Sequence, residues 1–221
     1  MDLSLEYDGP VAVVTWRDGE NRINDDSLGA LGARLDELEA RDGPLAVVVT
    51  GEGKFFCNGL DLERYGDDPS AFGRLLEGLR ATVARLLVFP AYTVAALNGH
   101  TFAGGALLSC AFDYRVMRDD RGYWCVNEAD IGITLEDQYA AILFNRLPRA
   151  TAIDALLTAR RFGGPAALAA GVVESIAPER ELLARAVEVA GAMAHKDRAV
   201  LAHHKRVAYR GILTTLGFPL D

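Results

Sequence analysis

Cysteine is scarce in this sequence, at three of 221 residues. Cys57, Cys110 and Cys125 are odd in number and no two show C-x-x-C spacing. That gives no basis for a disulfide framework and fits a reducing compartment. Long hydrophobic runs are missing: none approaches the ~18–20 residues of a membrane span. Positive charge is in deficit, 23 Lys and Arg against 31 Asp and Glu, for a net charge of −8. That argues against a nucleic-acid binder and leaves room for an anionic ligand at a local basic group. The opening MDLSLEYDGP is acidic and lacks the basic-then-apolar layout of a signal peptide. No G-x-G-x-x-G follows a strand and no G-x-S-x-G occurs, so neither a Rossmann fingerprint nor a hydrolase elbow is supported. In Gly51-Glu52-Gly53-Lys54 the glycines are too close for a phosphate loop, and Phe55 follows the lysine. The expectation is a soluble cytoplasmic protein.

What is present is apolar: half the residues are hydrophobic, enough for one large domain. Residues 3–7 and 11–16 are β-like runs around the turn signal Asp8-Gly9-Pro10 and predict a hairpin. Asp25-Asp26-Ser27 offers N-cap residues. Leu28, Leu31, Leu35 and Leu38 then mark an amphipathic helix ending near Asp42-Gly43-Pro44. Residues 45–50 form a continuous apolar strand, buried on both faces, that delivers the chain into a loop over 51–63. A break with an N-cap at 67–70 precedes a helix over about 71–87, which Pro90 ends. A further strand comes next, then a helix from about Gly104, a strand over 113–117 and a short strand over 123–126. Helices are expected over roughly 136–147 and 149–160. A short Ala-rich helix ends at Gly171, and a last strand covers 172–176. From about Glu179 the chain is helical and more charged. No linker marks a boundary: 1–178 reads as the core, and 179–221 as a helical segment of the same domain or one that docks on a neighbouring subunit. Strands often paired before each helix predict α/β architecture built from ββα-like turns.

The chain is organised around AALNGHTFAGGALLSC, residues 95–110, which reads as strand, glycine-rich turn and helix start. Backbone N–H groups at such a turn can point at negative charge. Beside this stretch stand several residues with ordinary structural readings. Lys54 and Arg22 can be solvated cations, and His100 a buried, hydrogen-bonded histidine. Asp61 can be a local hydrogen-bonder, and Glu128 an exposed strand-end carboxylate. Nothing at fixed spacing activates Cys57. His203 and His204 are neighbours on a helix and face different ways, so they make no metal site. From the residues alone, two glycine-containing loops and a strand-end acid suit anion stabilisation next to a base, with no substrate named.

Taken together, GKFFCNGLDL and LNGHTFAGGALL resemble the two signature segments of the crotonase (enoyl-CoA hydratase/isomerase) superfamily, in the right order and separation. The resemblance extends from the opening hairpin to about Ile176. It implies a spiral of ββα units with a C-terminal helical region. It further implies acyl-CoA substrates, a homotrimer or dimer of trimers, and no metal or cofactor, since coenzyme A is part of the substrate. Two backbone N–H groups would hold an enolate-like thioester oxygen; by motif they fall on Leu60, after Asn58-Gly59, and on Gly104. Hydratases of the family use two glutamates. Here the first position is Leu107 and the second is Glu128, the pattern of the Δ3,Δ2-enoyl-CoA isomerases. Asn98-Gly99-His100, Asp113-Tyr114-Arg115, Arg121-Gly122 and NEADIGI over 127–133 are similar to that subgroup, its plant peroxisomal members in particular. Because the chain ends in Gly-Phe-Pro-Leu-Asp, without a Ser-Lys-Leu-type signal, a bacterial cytoplasmic relative is expected.

The resemblance thus implies a β-oxidation isomerase that shifts the double bond of 3-enoyl-CoA to 2-trans-enoyl-CoA. Glu128 would be the proton shuttle and Leu60 and Gly104 the oxyanion donors. Phe102, Leu107 and Ile133 would supply an apolar environment. Asn58, Gly59, Asp61 and Leu62 would belong to the substrate loop, and Arg22, Lys54 and Phe56 would line the coenzyme A end. The rival readings are another crotonase-type enzyme, a hydratase or thioester hydrolase, and a non-catalytic acyl-CoA-binding protein.

Overall fold

A continuous apolar strand can be buried on both faces only in a sheet covered on both sides. The computed structural model, which describes residues 2–66 and 68–219, has that sheet. It contains β1 (Asp2–Asp8), β2 (Val11–Arg17), β3 (Ala46–Gly51), β5 (Tyr92–Leu97), β7 (Tyr114–Arg118) and β9 (Ser175–Ala177), in that spatial order. β1 and β2 form the expected antiparallel hairpin; every later pairing is parallel. Successive residues of a strand point to opposite faces. Val47, Val49, Ala95 and Leu97 accordingly join one core, and Ala46, Val48, Val94 and Ala96 the other.

A second, parallel sheet holds β4 (Phe55–Cys57), β6 (His100–Phe102) and β8 (Trp124–Cys125). Each central strand of the large sheet is followed by one of the small sheet and then by helix. β3 and β4 lead to α2 (Leu62–Tyr65) and α3 (Pro69–Leu87). β5 and β6 lead to α4 (Gly104–Ser109). β7 and β8 lead to α5 (Asp137–Arg146), α6 (Arg149–Thr158) and α7 (Gly164–Ala169). This is the spiral of ββα units that the resemblance implies.

The elements differ from expectation mainly at their ends. The first helix, α1 (Asp25–Glu39), is capped by Asn24, one residue earlier than expected. Asn24 accepts from the Ser27 N–H at 2.9 Å, and Ser27 Oγ accepts from the Asn24 N–H at 2.8 Å, a reciprocal capping box. α3 starts at Pro69, capped by Asp68 on the N–H groups of Ser70 and Ala71; Asp67, part of the expected break, lies outside the described residues, as do Leu220 and Asp221 of the chain end. The helix from Gly104 is only six residues long. The loop read over 51–63 contains β4 and the start of α2, and the last strand sits at Ser175–Ala177, later than the expected 172–176.

α8 (Glu179–Met193) covers the second face of the large sheet through Leu182, Ala186 and Ala190. α9 (Arg198–Leu216) packs on α3 and α5. Its buried Lys205 reaches Asp113 Oδ2 at 2.5 Å and donates to the Ala91 carbonyl at 2.7 Å. No helix among the described residues is long and apolar enough to cross a membrane.

Candidate active site

Three parallel strands in one small sheet end on the same side, so the segments leaving them are brought together. Leu60 comes three residues after β4, Gly104 two after β6 and Glu128 three after β8. Main-chain bonds fix the three exits. The Ala103 N–H donates to the Cys125 carbonyl at 2.9 Å, tying the second exit to the third. Ile23 donates to Gly59 O at 2.8 Å and its carbonyl accepts from the Asp61 N–H at 2.9 Å. In extended chain the residue between two such contacts turns its own N–H the other way, so the Leu60 N–H faces away from Ile23. Among the described residues neither the Leu60 nor the Gly104 N–H has an acceptor.

The two donor segments lie in contact. A Cβ on Gly59, whose φ is +81°, would stand 2.9 Å from Ala103 Cβ and 3.5 Å from Gly104 N; one on Gly104 would stand 3.3 Å from Leu60 Cδ2. Glycine is required at 59 by both conformation and space. Ala103 carries a side chain at φ +49°, ψ −122°, where non-glycine residues are strained.

The exits open on a cavity of about 190 Å³. Of the expected site residues, Asn58, Leu60, Leu62, Phe102, Gly104, Leu107, Glu128 and Ile133 line it. Leu107 stands one helical turn after Gly104 and is buried. Glu128 is 7% exposed, and its Oε2 has no hydrogen-bond partner among the described residues. Burial raises its pKa above the ordinary carboxylate value, offset in part by a bond to its own backbone. Glu128 is therefore a buried carboxylate aimed into an apolar cavity, not the exposed strand-end acid of the plain reading.

Ala103, Asn127 and Ile131, also on the lining, lie in the quoted motifs; most of the remaining wall is not signalled by any motif. Phe72, Leu76 and Leu79 come from the apolar stripe of α3; Ile131, Thr134, Leu135, Glu136 and Tyr139 come from the loop after β8 and from α5. The stripe at 72, 76 and 79 marks a buried face of α3 in the sequence, without saying that a cavity lies under it. Tyr139 donates to the Leu76 carbonyl at 2.7 Å, bolting α5 to α3. Glu136 is a second carboxylate on the lining, exposed at the rim.

Five expected residues do not line the cavity. Phe56 is a core side chain, 1% exposed, because its position in β4 turns it inward. Gly59 is backbone support. Asp61 accepts from Asn24 Nδ2 at 3.3 Å. Arg22 is held by Glu20 at 2.8 Å, with Asp61 at 3.7 Å and Glu63 at 3.8 Å, which places it beside the 59–61 loop. Lys54 stands over the Phe55 ring, 5.3 Å from its centroid, next to His100. The Nδ1 of His100 is buried without a partner, where a hydrogen-bonded histidine was expected; its neighbours on the sheet are aromatic rings. No group of three or more His, Cys, Asp or Glu among the described residues could hold a metal ion. Burial pushes the Cys57 thiol up to about 12 and Cys125 up to about 11, so neither is a ready nucleophile.

Residues 6–215 match the enoyl-CoA hydratase/isomerase family. The chain is similar to the peroxisomal enoyl-CoA delta isomerase 2 of Arabidopsis thaliana, 33% identical over 187 residues that cover 80% of this chain and 78% of the relative. Its fold matches the human mitochondrial Δ3,Δ2-enoyl-CoA isomerase with a TM-score of 0.90 at 26% identity, covering 97% of this chain and 86% of that one. It also matches an enoyl-CoA hydratase of Mycobacterium ulcerans with a TM-score of 0.91 at 28% identity, covering 97% and 94%.

Proposed function

Because this chain belongs to the enoyl-CoA hydratase/isomerase family, we propose that it is an isomerase that shifts the double bond of 3-enoyl-CoA thioesters to 2-trans-enoyl-CoA. The observation that carries the reading is the pairing of one buried carboxylate, Glu128, whose Oε2 has no partner among the described residues, with an apolar residue, Leu107, on the same cavity. Glu128 takes a proton from C2. Negative charge moves onto the thioester oxygen, which the N–H groups of Leu60 and Gly104 receive. The C3–C4 double bond becomes C2–C3 as the same carboxyl returns the proton to C4. One base can serve both carbons because the dienolate is planar. A carboxylate in an apolar site has a raised pKa and is a stronger base once ionised. Each oxyanion donor is worth about 10²–10³ in rate.

The acyl chain runs over Leu62, Phe102, Leu107 and Ile133, and Arg22, beside the 59–61 loop, meets the coenzyme A phosphates. The enzyme takes its place in β-oxidation, in the cytoplasm, and works as a homotrimer or dimer of trimers. It needs no added metal or cofactor. Hydration is the second reading, favoured by Glu136 on the same cavity and by the similarity to a hydratase. Parallel assays separate the two: conversion of 3-enoyl-CoA and hydration of 2-enoyl-CoA by the same preparation. The isomerase reading expects the first to exceed the second by at least about 10²-fold, the scale of one general acid–base group. Equal rates, or faster hydration, would overturn it.

A further inference from the structure

The cavity of the candidate site has an open side and a closed one. Leu62, Ile131, Ile133 and Glu136 are exposed and make the rim. Leu79 of α3 and Tyr139 of α5 are 1% and 3% exposed, so the lining they supply is sealed from solvent. The Tyr139 hydroxyl donates to the Leu76 carbonyl at 2.7 Å and fastens the two helices to each other. Behind them, α9 packs against both. Its Ile212, Leu213 and Leu216 belong to the same apolar core as Leu79 and Tyr139. The closed side is therefore backed by a further layer of helix. A close-packed interior of this kind takes in extra methylenes only with strain.

The volume sets a size. An apolar cavity of about 150 Å³ takes a six-carbon ring. This one measures about 190 Å³, which leaves room for about eight carbons. The thioester end of an acyl group belongs near the strand exits, where Leu60, Gly104 and Glu128 line the cavity. Its tail is best buried by running from there past Leu107, also buried, to the sealed lining. A tail longer than the cavity must fold back to the rim. There it meets solvent and the Glu136 carboxylate, and it gains no further burial.

We propose that the acyl group this cavity takes is short, about eight carbons in all, and that Leu79 is the residue that stops its tail. Each methylene that fits adds about fourfold in affinity, and each one beyond the limit adds nothing. The inference rests on the acyl-CoA reading of this cavity and not on which reaction follows binding.

The test is calorimetric titration with saturated acyl-CoA thioesters from four to sixteen carbons, beside kcat/KM for the matching 3-enoyl-CoA substrates. Wild-type affinity is expected to rise about fourfold per methylene to about eight carbons and then to stop rising. A continued rise to twelve or sixteen carbons overturns the size limit. In Leu79→Ala, with folding verified by circular dichroism, the limit should move out by about three carbons, the number the substitution deletes. Leu79→Val keeps most of the packing and should move it by about one. An unchanged limit in the folded variants overturns the assignment of Leu79. Failure to bind an acyl-CoA of any length overturns the acyl-CoA reading and this inference with it. Length-limited binding without turnover of any 3-enoyl-CoA supports the size limit and overturns only the isomerase reading.

Discussion

Gly105 offers a way to move the two proposed oxyanion donors apart without touching either. A Cβ added there would stand 2.6 Å from the Cys57 carbonyl oxygen, 2.7 Å from Cys57 Cβ and 2.8 Å from its sulfur. Ordinary contact begins near 3.4 Å, so Gly105→Ala forces α4 from β4 by about 0.8 Å, an overpacking strain of about 1–3 kcal/mol. For a chain of this length that lowers Tm by about 2–12 °C. Leu60 follows β4 and Gly104 opens α4, so the same displacement separates their N–H groups. A misplacement of ~1 Å in a catalytic constellation costs ~10² in rate. The expected result is a folded protein whose kcat on 3-enoyl-CoA falls about 100-fold. The control is Gly29→Ala, in α1, where a Cβ meets nothing within 4 Å. It should gain up to about 1 kcal/mol and keep full activity. A Gly105→Ala enzyme within about threefold of wild type would refute the claim that the β4–α4 spacing sets the donor geometry.

Four further outcomes concern buried groups. Lys205→Met strands Asp113 as a buried charge, a cost of about 3–5 kcal/mol; thermal melts should show a Tm lower by about 6–20 °C, largely recovered when Asp113→Asn is added. Because burial raises the pKa of Glu128, turnover should fall as pH drops through a value above the usual carboxylate range near about 4.3. The sign for stability is opposite: a carboxyl with a raised folded pKa destabilises the fold once ionised. Glu128→Gln should therefore be more stable than wild type at neutral pH, with the difference vanishing below about pH 4. Equal denaturation midpoints at pH 7 would contradict this. Cys57 and Cys125, with thiols pushed up to about 12 and about 11, should resist an exposed-thiol reagent in the native protein and react on unfolding in denaturant; rapid native labelling would show the sites to be open.

The hairpin, the strand over 46–51 and helices α1, α3, α5 and α6 were legible because each is long enough for its hydrophobic period to show. Of the small sheet only β8 was legible, as the short strand over 123–126; β4 and β6 were not. The strands of that sheet are two or three residues long, too short for alternation, and they exist because Phe55 pairs with His100, far along the chain. The donor segments and Glu128 stood in recognisable motifs, so the heart of the site was readable. The α3 wall was not, because an amphipathic stripe says which face is buried and not what it is buried against. Phe56 was expected at the coenzyme A end for a related reason: alternation along β4 turns it into the core, and that strand was read as loop.

The central claim is that Glu128 alone carries the proton between C2 and C4. Steady-state conversion of 3-enoyl-CoA by Glu128→Gln, with folding verified by circular dichroism, tests it directly. The account predicts a fall in kcat of about 10²–10⁴ with binding of the acyl-CoA retained. Isomerisation at close to the wild-type rate would contradict it.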